Sequence, residues 1–122
     1  MKKSYTDLEQ SKKLAKILPL ETADMSYTLE FDSGRYYIST TSYKSWVVPK
    51  YAESYKGLNQ VLPCWSLAAL LDILHDYTLQ TNSDGGVFVV CDSKKPMISD
   101  SYRNPVDACV DIILLLKERN LI

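Results

Sequence analysis

Cys64 lies just ahead of a clear helical stripe, Leu67, Leu70, Leu71 and Leu74, where a helix dipole can lower a thiol pKa and create a nucleophile. The base it would need is out of reach. His75 is the single histidine, and eleven residues along the same helix place it roughly 16 Å from Cys64. Cys64 therefore reads as a core thiol. Asp72 and His75 have the i, i+3 spacing at which a carboxylate and an imidazole can share a metal, yet no second histidine or paired cysteine completes a ligand set. His75 reads as a cation near a helix C-terminus. Asp84, Asp92 and Asp100 lie in or beside turns, which aspartate favours for its own backbone bonds; a cleft in which they meet is the remaining acid–base option. No nucleophile-elbow, P-loop, dinucleotide, zinc-protease or EF-hand pattern occurs, and Gly85-Gly86 reads as a turn and not as a phosphate cradle. Neither a cofactor nor a metal is called for, and an enzyme is left unsupported.

A different chemistry is offered by residues 42 to 62, where Tyr43, Trp46, Tyr51 and Tyr55 are interleaved with Lys44, Lys50 and Lys56. Aromatic rings among lysines can grip a protein partner or stack on bases. The alternative is structural, with Trp46-Val47-Val48 as an edge strand stopped by Pro49 and the tyrosines folded over the core.

The elements that must position these residues follow from pattern. Thr6-Asp7-Leu8-Glu9 has the form of a capping box, which predicts a first helix from Thr6 to about Leu18, with Lys12, Lys13 and Lys16 on its solvated side. Tyr27, Leu29 and Phe31 alternate with polar residues, as do Tyr36 and Ile38, and Asp32-Ser33-Gly34 between them predicts a hairpin with Gly34 at positive φ. The central helix is expected from an N-cap at Ser66, with Trp65 packing on Leu70 as a staple, and Ala68 and Ala69 letting a sheet come close. Tyr77 to Thr81, Val87 to Cys91 and, more weakly, Met97 to Tyr102 predict a meander. The last helix has Asn104 as N-cap, Pro105 at its first position and Asp107 at its third, and is expected to reach about Arg119, with Asn120 as a left-handed cap. Cys109, Ile112, Ile113 and Leu116 define its buried side. Leu114 and Leu115 fall on or beside the acidic side with Asp107, Asp111 and Glu118, which marks a second contact, either another helix or a dimer partner.

With 122 residues, 46% hydrophobic and 24% charged, the chain suits one globular domain. A net charge of −1 does not point to nucleic acid: residues 1–62 carry nine basic against seven acidic side chains and residues 63–122 five against eight. The longest aliphatic run, Ile112 to Leu116, is too short to span a membrane, and Asp7 and Glu9 interrupt any signal sequence. Three cysteines, Cys64, Cys91 and Cys109, widely spaced in apolar stretches, predict reduced thiols and a cytoplasmic location.

SKKLAKILPLETADM at Ser11 to Met25, LPCWSLAALL at Leu62 to Leu71 and NPVDACVDIILLLKERNLI at Asn104 to Ile122 together resemble a family of small uncharacterised proteins of gut Bacteroides-type bacteria and their phages or prophages. The resemblance implies a compact cytoplasmic or phage-encoded protein with no assigned activity. It further implies that Ala can replace Cys64 and that residues 42 to 62 are an elaboration of this chain.

The sequence thus predicts a single α+β domain, an antiparallel sheet of about five strands with three helices, in the order α-β-β-α-β-β-β-α. The function it predicts is a non-catalytic interaction or accessory protein of a phage or mobile element. That protein would bind an unknown protein partner through residues 42 to 62 or form a homodimer through Leu114 and Leu115. The alternatives are a nucleic-acid binder using residues 42 to 62 and a small enzyme.

Overall fold

The computed structural model describes residues 3–29, 34–40, 61–74, 77–91 and 97–119. Among them the class is α+β, with three α-helices and six strands in two antiparallel sheets. The strands divide equally between the sheets instead of forming one, and the chain falls into two compact units, Asp7–Ser66 and Met1–Thr6 with Leu67–Ile122.

In the first unit, helix α1 (Leu8–Ala15) is capped by Asp7 and not by Thr6. The Asp7 carboxylate accepts from the Gln10 amide at 2.8 Å, and the Gln10 side chain accepts from the Asp7 amide at 3.1 Å. The capping box expected at Thr6 and Glu9 is therefore displaced by one residue, because Thr6 is fully buried while Asp7 takes the extended backbone a cap requires. A further turn follows, in which the Leu18 amide donates to the Leu14 carbonyl at 2.8 Å. Ser11, Leu14 and Leu18 form the buried stripe, and Lys12, Lys13 and Lys16 are exposed as the amphipathic pattern predicts.

Pro19 then opens a 3₁₀ turn, Leu20–Thr22, which leads into β1 (Met25–Leu29). β1 is the middle strand of the first sheet, between β2 (Tyr36–Ser39) and β3 (Val61–Cys64). Leu29 pairs with Tyr36 and Gly34 has a φ of 68°, so the predicted hairpin and its left-handed glycine are present. β3 was not predicted. It pairs antiparallel with β1, with Pro63 opposite Ser26, and α1 packs against it. A proline is tolerated there because β3 is an outer strand of its sheet. Two side-chain anchors hold the end of β3: the Trp65 indole N–H donates to Thr22 Oγ1 at 2.9 Å, while the Ser66 amide and hydroxyl both donate to the Asp24 carboxylate.

In the second unit, α2 (Leu67–Ile73) begins immediately after Ser66. Its neighbour is α3 (Pro105–Glu118) and not a sheet at Ala68, which is exposed; Leu70 and Leu74 carry its burial. α3 has the predicted caps: Asn104 Oδ1 accepts from the Asp107 amide at 2.9 Å, and Pro105 occupies the first turn. Cys109, Ile112, Ile113 and Leu116 are buried as predicted, and Val106, Ala108 and Val110 join them, so α3 is the core of this unit. It lies on β5 (Val87–Cys91), the middle strand between β4 (Tyr77–Thr81) and β6 (Met97–Ile98).

The meander does not end at Ile98. The Ser99 amide donates to the Val89 carbonyl at 3.0 Å, and Val87 and Tyr102 then exchange both backbone bonds, at 2.6 and 2.8 Å. Three residues advance on this strand where β5 advances two, so Asp100 and Ser101 form a bulge.

Candidate functional site

The residues singled out by sequence are not gathered into one place. Tyr43, Lys44, Trp46, Lys50, Tyr51 and Tyr55 lie outside the described residues, as do His75, Asp92 and Asn120. Cys64 and Cys109 are buried and free of disulfides, and burial pushes the Cys109 thiol up to about 12, far from a reactive thiolate. Leu114 and Leu115 are both half-buried on α3.

The carboxylates of the last helix have structural partners. Asp107 receives the Lys3 ammonium at 2.7 Å and the Asn104 side-chain amide at 2.8 Å. Asp111 accepts from the Asp100 amide at 3.0 Å, and its carboxylate also faces the Tyr102 hydroxyl. Burial first, then the charge of Asp111 and a hydrogen bond to it, raise the Tyr102 pKa above its ordinary value. The acidic side of α3 is thus a docking line for the N-terminal segment and for the bulge after β6.

The bulge also creates a concave feature. It places Ser101, Tyr102 and Arg103 beside the Asn82–Gly86 turn, enclosing an open pocket of about 530 Å³ to which Asp84 and Gly85 also contribute. Asn82 builds the turn side. Its Oδ1 accepts from the amides of Asp84 and Gly86 at 3.1 and 2.8 Å, its backbone pairs with Gly86 and Gly85, and its Nδ2 donates to Ser101 Oγ at 2.8 Å. Gly85 has a φ of 80°, and a Cβ added to Gly86 would sit 2.1 Å from Ser101 Oγ, so each glycine is required for a separate reason. Sequence reasoning found the turn from Asn82 to Gly86 and considered Asp84, but gave Asn82, Ser101, Tyr102 and Arg103 no part in a site. The turn was readable from its glycines; its apposition to Arg103 depends on a bulge that no residue spacing announces.

A second feature is the exposed surface of β2, where Tyr37 and Ile38 are 49% and 37% accessible on opposite faces of an outer strand. Ile98, at 63%, is the most accessible large apolar residue described.

No known protein family, curated protein or solved structure matches the chain. The site's chemistry must therefore be argued from its own residues. Among those described, no group of three potential ligands is placed to hold a metal ion, and no helix is long and apolar enough to cross a membrane.

Proposed function

We propose that this chain is a non-catalytic interaction protein of a phage or mobile element that binds a protein partner through β2 and the aromatic, basic segment following it. The observation that carries the reading is the exposure of Tyr37 and Ile38 on an outer strand. Only three residues separate the end of that strand from Tyr43, the first ring of the Tyr43 to Tyr55 series. Aromatic and aliphatic side chains beside a sheet edge supply both the backbone pairing and the apolar anchors that peptide recognition by strand addition uses. The groups that catalysis would recruit elsewhere support the same reading, since Asp24, Asp107 and Asp111 are held in structural hydrogen bonds. A cytoplasmic setting belongs to the proposal and is supported by the free thiols of Cys64 and Cys109. The phage or mobile-element origin rests on the resemblance at Ser11–Met25, Leu62–Leu71 and Asn104–Ile122.

The test compares capture of partner proteins from a Bacteroides lysate by the full chain and by two variants, Tyr37→Ser with Ile38→Ser, and Trp46→Ala with Tyr51→Ala and Tyr55→Ala. Loss of the same captured band in both, with melting temperatures within about 4 °C of the parent, is the expected result. Capture unchanged in both overturns the reading.

A further inference from the structure

We propose that the pocket between the Asn82–Gly86 turn and the Ser101–Arg103 segment binds a small zwitterion of the free amino-acid type, with Arg103 taking its carboxylate and Asp84 its ammonium group. Both residues line the pocket and are exposed, and among the described residues neither the guanidinium nor the carboxylate is engaged in an ion pair or hydrogen bond. Two opposite charges that line one pocket and do not pair with each other leave a dipolar gap. A simple anion or cation gains from one charge and loses from the other, whereas a molecule carrying both charges gains twice.

The backbone narrows the choice further. A phosphate cradle needs glycine amides turned outward, but here the Gly85 amide donates to the Asn82 carbonyl at 3.1 Å and the Gly86 amide to Asn82 Oδ1 at 2.8 Å. Arg103 is left as the anion-binding group, and its planar fork matches a carboxylate. Ser101 Oγ accepts from Asn82 Nδ2, which leaves its own proton to donate to that carboxylate. Tyr102 also lines the pocket, and both backbone bonds to Val87 hold it in place. The volume of about 530 Å³ falls within the range of small-molecule sites.

The experiment is a titration of the ¹⁵N-labelled full chain followed by NMR, with L-leucine as probe. N-acetyl-L-leucine, which keeps only the carboxylate, and L-leucinamide, which keeps only the ammonium, serve as comparisons at equal ionic strength. The expected result is a saturable shift of the Gly85, Gly86 and Arg103 amides by L-leucine, with a dissociation constant on the order of 1 mM. Both single-charge analogues should bind at least tenfold more weakly. Arg103→Gln and Asp84→Asn should each weaken L-leucine at least tenfold while leaving the spectrum outside the pocket unchanged. Absence of saturable shifts overturns the proposal. Equal binding by N-acetyl-L-leucine overturns the zwitterion in favour of a carboxylate site, and wild-type affinity in both variants places any binding elsewhere.

Discussion

The Val89 amide donates to the side-chain oxygen of Ser99 at 2.9 Å, while the Ser99 amide donates back to the Val89 carbonyl at 3.0 Å. A hydroxyl thus stands where a strand would ordinarily present a carbonyl. The Ser99 hydroxyl proton is passed on to the Asp100 carbonyl at 2.9 Å, so a buried serine closes the ladder at the point where the bulge begins. Replacing Ser99 by Ala leaves the Val89 amide buried without an acceptor. That change should cost about 1–3 kcal/mol in urea unfolding, and it should raise amide exchange at Val89 before exchange at Leu79, its partner on the other side.

The Gly86 position offers a sharper steric test. Gly86→Ala should destabilise by about 1–3 kcal/mol, because the new methyl meets Ser101 Oγ at 2.1 Å and Asn82 Nδ2 at 2.9 Å. Ser101→Ala in the same chain removes the nearer clash and should recover part of the loss. Gly85→Ala meets no atom within 4 Å, so its cost of about 1–2 kcal/mol comes from the positive φ alone and Ser101→Ala should not relieve it.

Stability should fall at alkaline pH. Tyr102 and Cys109 hold their protons more tightly in the folded chain than in the unfolded one, where they ionise near 10 and 9. Their stabilising effect is complete below those values and is lost as pH rises through the folded ones, about 12 for Cys109. Cys109 alone contributes a slope approaching about 1.4 kcal/mol per pH unit above pH 9. Urea unfolding at pH 8, 9.5 and 10.5 measures this, and Cys109→Ala should flatten the decline.

Thiol labelling gives an independent reading of the same burial. Cys64 and Cys109 are both 0% accessible, so alkylation at these two sites, resolved by peptide mass spectrometry at pH 8, should proceed only at the rate of unfolding. Labelling of either in the native protein within minutes would contradict the packing of β3 or α3.

At the first helix, Asp7→Ala should destabilise by about 0.5–2 kcal/mol through loss of the cap. Glu9→Ala should be nearly neutral, since Glu9 is exposed and its ion pair with Lys12 spans 3.9 Å. Chemical denaturation of both variants distinguishes the observed cap from the one the sequence suggested.

The last helix was legible in nearly every particular because its signals are local: Asn104, Pro105 and Asp107 act within one turn, and its apolar face has period 3.6. The first cap slipped by one because Asp7 and Thr6 are both good cap residues, and only burial of Thr6 decides between them. β3 was hidden for a different reason. Four residues containing a proline carry too little pattern to reveal a strand, and what makes them one is their partner β1, more than 30 positions earlier. The same holds for the pocket: Asn82 and Arg103 are individually ordinary turn residues, and it is the extra residue in the bulge that brings their segments together. The two-sheet division was illegible since strand number follows from local alternation, whereas sheet membership follows from which strands meet.

Ser4 accepts a hydrogen bond from the Leu67 amide at 2.9 Å, and Lys3 pairs with Asp107, 104 positions later. During synthesis at about 5–20 residues per second, the N-terminal segment therefore leaves the ribosome roughly 5–20 s before its final partner exists. Residues Asp7–Ser66 emerge as one continuous stretch, whereas the unit containing Lys3 is complete only once the last helix has been made. Lys3 and Ser4 are made before their partners Asp107 and Leu67 and are placed after them.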